Sequence, residues 1–190
     1  MKKLIVTADV HGSYSTWLTL KGLLDKEDSL AVAGDLFGTR YPCYGYPDYQ
    51  PDLILQEISE FKNPFYFVYG NCDRSSFSPG YDETLTFDFM EWKIFLHHGD
   101  RYFKKLPSEI LDSDVNLVIH GHTHLFSLEK RNQMIFLNPG SLSDPRNSFY
   151  TYAVIDNNGI NIINIKTGIS LKSIPFTNND RQITYDRIYP

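Results

Sequence analysis

Aspartate, asparagine and histidine recur behind five short apolar runs, and together these side chains are suited to holding divalent cations. Leu4-Ile5-Val6-Thr7-Ala8 leads into Asp9-Val10-His11-Gly12. Leu30-Ala31-Val32-Ala33 leads into Gly34-Asp35, and Phe65-Tyr66-Phe67-Val68-Tyr69 into Gly70-Asn71. Ile94-Phe95-Leu96 leads into His97-His98-Gly99-Asp100, and Leu117-Val118-Ile119 into His120-Gly121-His122-Thr123-His124. In an extended segment residues two apart point the same way, so Asp9 and His11 can reach one ion, and His122 and His124 share that spacing. A carboxylate, an amide and imidazoles suit a divalent transition metal better than calcium, which prefers oxygen shells. Asp9, His11, Asp35, Asn71, His98, His122 and His124 are too many donors for one ion and fit two ions sharing a carboxylate. Paired ions about 3.5–4 Å apart are an arrangement for phosphoryl transfer. A single histidine at a strand end is more often a satisfied surface group. Here all 6 histidines fall in three of the five clusters, which incidental placement hardly explains. His97 and His120 are offset from the ligand positions and read as structural or supporting.

The elements that must position these groups alternate along the chain. Short β-rich apolar runs ended by glycine or a carboxylate read as buried strands, and ligands sit beyond strand carboxyl ends in open α/β sheets. After the first strand, Ser13 or Ser15 is expected to cap a helix carrying Trp17, Leu18, Leu20, Leu23 and Leu24 on one side. Leu36 to Pro51 is a long loop with Tyr41, Tyr44, Tyr46 and Tyr49 among three prolines, expected to overhang the site from Asp35. A second helix is predicted over 52–62, stopped by Pro64. Hairpin strands are predicted over 84–89 and 92–98 around Met90-Glu91, and a short helix over 104–112 entering at Pro107. Further strands are expected over 125–129, 134–137, 150–155 and 160–165, the last two joined by Asp156-Asn157-Asn158-Gly159. Asn138-Pro139-Gly140-Ser141 reads as a turn closing beneath the site, with Gly140 free to take positive φ. The implied architecture is two sheets packed face to face with helices outside.

Composition bounds the function. The 190 residues are 42% apolar and 22% charged, ordinary for one globular domain, here placed at 1–175 with a polar C-terminal tail over 176–190. A net charge of −5 argues against an extended nucleic-acid surface, which needs clustered Lys and Arg. It leaves room for a small phosphate substrate, because bound divalent ions reverse the local field. Only Cys43 and Cys72 are present, so a disulfide framework is not expected and a reducing compartment is the default. The first strand follows Met-Lys-Lys directly and reads as neither a signal peptide nor a membrane span, which makes the cytoplasm the expected location.

Asp-Val-His, Gly-Asp, Gly-Asn-Cys-Asp, His-Gly-Asp and Gly-His-Thr-His, in that order over about three-quarters of the chain, resemble the five blocks of the calcineurin-like metallophosphoesterases. The capless form, with Gly70-Asn71-Cys72-Asp73 and the later Asn138-Pro139-Gly140-Ser141, is similar to the YfcE-type phosphodiesterases. The resemblance implies an α/β fold, a four-layer α-β-β-α sandwich of two mixed sheets. It also implies two divalent ions, manganese first, with iron, zinc, nickel or cobalt as alternatives. By the family pattern Asp9, His11 and His124 hold one ion, Asn71, His98 and His122 the other, and Asp35 bridges them. A metal-bridging hydroxide, its pKa lowered to about 7, would attack phosphorus. Asp35 and Asn71 would thus be catalytic, Asn71 also donating a hydrogen bond near the phosphate. The expected reaction is hydrolysis of a small phosphodiester. The alternatives are a phosphomonoesterase or phosphoprotein phosphatase, and a non-catalytic protein-interaction scaffold on the same fold. Many relatives carry a histidine after the block-three Asn, where this chain has Cys72. A thiol with a pKa near 8.5 substitutes poorly for such an acid, so Cys72 is read first as packing, with support of a ligand or contact with substrate as the alternative. Asp73 reads as orienting a neighbour or stabilising a turn, and Arg40 and Arg74 as solvated rim residues within reach of a phosphate. A homo-oligomer is compatible with all of this.

Overall fold

The computed structural model describes residues 2–38, 48–102 and 106–176. Two mixed sheets lie face to face. In the first, β1 (Leu4–Thr7), β2 (Ser29–Ala33) and β3 (Phe65–Val68) run parallel. Beyond β1 the sheet continues antiparallel through β9 (Thr151–Asp156), β10 (Gly159–Asn164) and β11 (Ser170–Pro175). The second has the order β4 (Thr84–Phe89), β5 (Trp92–His97), β6 (Leu117–Ile119), β8 (Met134–Asn138), β7 (Ser127–Arg131). Its β5, β6 and β8 run parallel.

Side-chain alternation builds the layers. Leu4, Val6, Ala31, Ala33 and Val68 point inward against Ile94, Leu96, Leu117 and Ile119 of the other sheet. Ile5, Leu30, Val32 and Phe67 point outward, where they bury Trp17 and Leu20 of α1 (Tyr14–Gly22) and Ile54 of α2 (Pro51–Ser59). Phe95 and Val118 face out of the second sheet against Leu106, Val115 and Ile110. Ile110 belongs to α3 (Ser108–Leu111), so this fourth layer is a single helical turn. The expected sandwich is therefore present, with its two helical layers unequal in thickness.

At the carboxyl ends of their parallel strands the two sheets are in tight contact. A Cβ on Gly121 would lie 2.5 Å from the Ala8 Cβ and 2.8 Å from the Ala33 carbonyl oxygen. Only a residue without a side chain lets the loop after β6 settle onto the ends of β1 and β2. Every predicted ligand cluster is carried to this edge.

Several boundaries differ from the sequence expectation for local reasons. Ser13 caps α1, as its side chain accepts the Thr16 N–H, but the helix stops at Gly22 and Leu18 is 46% exposed. Trp17 and Leu20, three apart, fill the buried stripe, and Leu18 lies a hundred-degree step off it. α2 ends at Ser59, whose hydroxyl donates to the Gln56 carbonyl and competes with the backbone ladder. α3 is far shorter than 104–112; Pro107 is its N-cap, and the Ser113 hydroxyl takes the Ile110 carbonyl just past its end. Lys104 lies outside the described residues. β7 is shifted two residues toward the turn at Asn132, which adopts positive φ between Arg131 and Met134. β11 was not expected at all. It is a polar edge strand without the alternation that sequence patterns report. Of the tail, Phe176 stacks on Trp92, and 177–190 lie outside the described residues. No helix among the described residues is long and apolar enough to cross a membrane.

Glu57 joins the outer helices. Its carboxylate accepts from the Tyr14 hydroxyl at 2.8 Å, the Trp17 indole N–H at 2.7 Å and the Lys21 ammonium at 2.7 Å. Trp17 is 0% exposed, so Glu57→Ala strands a buried donor and should cost about 1–3 kcal/mol in urea denaturation. A loss below about 0.5 kcal/mol would mean that water replaces the carboxylate, contrary to this account.

Candidate metal centre

Five of the seven predicted ligands leave their strands in the left-handed region: Asp9 at φ 54°, His11 at 52°, Asp35 at 52°, His122 at 70° and His124 at 59°. Non-glycine residues seldom adopt this conformation, and such strain concentrates at functional sites. It also corrects the spacing argument. Asp9 and His11 are not two apart on an extended strand; a tight turn aims both. His122 and His124 do not share a target either. His124 meets His11, their Nε2 atoms 3.3 Å apart, whereas His122 presents Nδ1 to His98 Nε2 at 3.3 Å.

Hydrogen bonds hold this turn chemistry in place. The Asp9 N–H donates to Gly34 O, and that of His11 to Asp35 O, tying the loops after β1 and β2 together. The Asp9 carbonyl accepts from Ser141 Oγ at 2.8 Å and Ser143 Oγ at 2.7 Å. The buried Asn138 amide donates to the Gly121 carbonyl at 2.9 Å and the Thr123 hydroxyl at 3.0 Å, while its oxygen accepts the Gly140 N–H at 2.9 Å. The turn at 138–141 thus lies beneath the cluster, Gly140 at φ 78°, and braces both ends of it. A Cβ on Gly70 would collide with the Asp35 carboxylate, so that glycine is required by close approach.

The imidazoles have their outer nitrogens committed. His11 Nδ1 lies 2.8 Å from the Gly38 carbonyl, His124 Nδ1 2.6 Å from that of Asp144, and His98 Nδ1 2.9 Å from that of Ala33. A carbonyl only accepts, so each Nδ1 carries the proton and each Nε2 turns its lone pair inward when the ring is neutral. Around them lie more acceptors. Asn71 Oδ1 is 3.3 Å and Asp35 Oδ2 3.4 Å from His98 Nε2, and Asp9 Oδ1 is 3.5 Å from His124 Nε2. Asp9 is 0% exposed and its Oδ1 has no hydrogen-bond partner among the described residues. The other oxygen accepts the His122 N–H at 3.0 Å. The ligand atoms of Asp9, His11 and His124 lie within 4.8 Å of one another, as do those of Asp9, Asp35 and His98, and those of His11, Asp35 and Cys72. An orphaned buried carboxylate oxygen among inward lone pairs fits one or more divalent cations.

The proton equilibria carry the same signature. Burial raises Asp9 to about 7, against the pull of His98, with the Asp35 charge adding to the rise. Burial also works against ionised Asp35, but the hydrogen bond and charge of His98 hold it down to about 2. In the same pair burial opposes the His98 imidazolium, and Asp35 overcomes it, lifting the ring to about 9. Without an ion, a proton on His98 balances the carboxylates. His124 is pushed down by burial, helped by the charges of His11 and Arg146.

The remaining predicted residues separate cleanly. Cys72 is half-buried, with Sγ near His11 and Asp35, so it faces the cluster instead of packing in an apolar core. Its N–H donates to Asp35 Oδ1 at 2.8 Å. Asp73 touches no predicted ligand side chain. It accepts the N–H groups of Leu36, Phe37, Gly38 and Gly70, and Gly38 in turn orients His11. Arg74 is exposed, and Arg40, Tyr41, Tyr44 and Tyr46 lie outside the described residues. Tyr49 packs against Gly12. His97 and His120 stack at 5.8 Å on the outer face of the second sheet, and burial, with the His120 and His98 charges adding to it, pushes His97 down to about 3. Sequence reasoning missed Arg146, whose N–H donates to the His124 carbonyl at 3.3 Å and whose charge acts on both Asp9 and His124. The only signal was a basic residue five positions after Ser141.

Because Asp9 and His98 hold protons near neutrality, ions binding these groups must displace them. Manganese titrated at pH 7 in buffers of different ionisation enthalpy should therefore release about one to two protons per loaded chain. Release should fall toward zero by about pH 10, and a pH-independent value of zero would contradict the ligand set.

A profile of the calcineurin-like phosphoesterase superfamily domain matches residues 1–159. Phosphodiesterase YfcE of Escherichia coli strain K12 is 26% identical over 172 residues, covering 86% of this chain and 92% of that protein. The solved structure of the YfcE phosphoesterase from E. coli superposes with a TM-score of 0.72 at 24% identity, over 92% of this chain and 100% of that one. Vps29 from Entamoeba histolytica, solved in complex with zinc, has a TM-score of 0.63 at 20% identity, over 92% of this chain and 99% of its own.

Proposed function

This chain belongs to the calcineurin-like phosphoesterase superfamily, and from that membership we infer that it is a metal-dependent phosphoric ester hydrolase acting first on small phosphodiesters. One observation supports this above the others: a buried Asp9 oxygen, without a hydrogen bond among the described residues, faces imidazoles whose lone pairs converge from two different sheets. In our reading Asp9, His11 and His124 hold one divalent ion and Asn71, His98 and His122 a second. Asp35, the residue with two anionic oxygens and a short stem, lies between them. Such ions, manganese foremost, supply Lewis acidity toward phosphoryl oxygens and lower the pKa of bound water to about 7.

The chain's own residues do the rest. Carbonyls of Gly38, Asp144 and Ala33 fix the rings so that no reorganisation is needed when charge develops. Asn71 presents amide N–H groups, one now directed at Cys72 Sγ at 3.1 Å, that can turn to a phosphoryl oxygen. Arg146 offers a guanidinium on the Asp9–His124 side, suited to an anionic phosphate. Cys72 is a weak acid for an alkoxide leaving group, which favours esters of acidic alcohols. The diester preference also draws on the phosphodiesterase name of the YfcE relative. The Vps29 likeness is one of fold, and a scaffold role would leave the buried donors without use.

With manganese, bis-p-nitrophenyl phosphate should be hydrolysed faster than p-nitrophenyl phosphate, and exhaustive chelation should abolish both activities. Asp35→Asn and His98→Ala should each lower turnover by at least about a hundredfold. Arg146→Ala should raise KM about five- to tenfold with kcat nearly unchanged. Full activity after chelation would refute the metal reading, and faster monoester turnover would reverse the diester preference alone.

A further inference from the structure

We infer that a cavity of about 240 Å³ beside Asn71 and His98 seats the organic group of the ester and selects an uncharged or cationic group over an anionic one. This rests on the phosphoesterase reading. The cavity shares Asn71 and His98 with the ligand cluster, so a group bound there is adjacent to any phosphate held by the cluster. It is smaller than the roughly 300–1,000 Å³ of drug-sized sites, which suits a small alcohol better than a nucleotide.

Its lining sets the preference. Three carboxylates, Asp73, Glu83 and Asp100, face one guanidinium, Arg101. Arg101 is ion-paired with Glu83, so its charge is largely answered. The Asp73 oxygens are taken by four backbone N–H groups. Asp100 is exposed and has no basic partner among the described residues, which leaves the described lining net acidic. One wall is His97, 3% exposed and edge-on to Tyr102 at 5.6 Å, whose Nδ1 has no hydrogen-bond partner. That wall adds aromatic surface. Arg146 lies on the other side of the cluster, beside Asp9 and His124. The exposed Asp144 carboxylate shares that side, 3.4 Å from His124 Nδ1, so the selection is carried by the lining of the cavity itself.

The test uses the full chain loaded with manganese and three p-nitrophenyl phosphodiesters that share a leaving group and differ in the second alcohol: choline, ethanol or glycolate. We expect kcat/KM to fall in that order, with about five- to tenfold between first and last, the weight of one or two part-exposed charge pairs. The span should narrow as salt rises to about 0.5 M. It should shrink at least threefold in Glu83→Gln/Asp100→Asn, and likewise in Asp100→Lys, a surface change outside the Glu83–Arg101 pair. Equal use of the glycolate and choline esters by the unsubstituted protein, or a span that survives in Asp100→Lys, overturns the inference while leaving the phosphoesterase reading intact. Failure to hydrolyse any of the three overturns both.

Discussion

Two imidazole nitrogens 3.3 Å apart, each with its ring's other nitrogen committed to a backbone carbonyl, form the constraint on which this structure turns. Neutral His11 and His124 would set lone pair against lone pair. The contact becomes attractive only with a proton or a metal ion between the rings. A few ångströms away, the inward nitrogen of His98 confronts the side-chain oxygens of Asn71 and Asp35 in the same way. A fold that forces acceptors together at the buried end of two sheets is stable only if something cationic sits among them.

The backbone is arranged around that demand. A strand delivers side chains to alternating faces, which would scatter these groups between the core and the outside. The left-handed turns after β1, β2 and β6 break the alternation and swing Asp9, His11, Asp35, His122 and His124 to one point. Such conformations persist only when neighbours over-determine them. Here the neighbours are identifiable: Ser141 and Ser143 on the Asp9 carbonyl, Asp73 on the loop after β2, and Asn138 on the loop after β6. None of these has its side chain on a predicted ligand side chain. Their work is to hold carbonyls and amides at the angles the ligands require.

Much of this was legible in the sequence, and the limits have physical causes. Apolar runs ending in Asp, Asn or His reported both the strands and the cluster, because buried strands and their polar ends differ sharply in composition. The pairing of His124 with His11 and of His122 with His98 came from the family pattern; the two-residue spacing alone points the other way, since it presumes an extended backbone. Ser141 was legible as part of a turn beneath the site, but its hold on the Asp9 carbonyl, and the roles of Ser143 and Arg146, were not, because these contacts span more than a hundred residues or follow from a loop's path. β11 escaped because a polar edge strand has no periodic signature, and α3 was overextended because nothing in its pattern reports that Ser113 will compete for a carbonyl. The weak acidity of a thiol favours packing for Cys72 over a role at the site, and nothing in the sequence reports that its backbone is anchored to Asp35.

Charge is distributed as sharply as geometry. Arg146 and the Asp144 carboxylate flank the Asp9–His124 half, and three carboxylates with the single guanidinium of Arg101 line the Asn71–His98 half, so the two sides of the cluster differ in charge. Anomalous diffraction from manganese-loaded crystals tests the whole account most directly. It should show two peaks about 3.5–4 Å apart, one against Asp9, His11 and His124, the other against Asn71, His98 and His122, with Asp35 touching both. A single peak, or none with the rings turned apart, would contradict it.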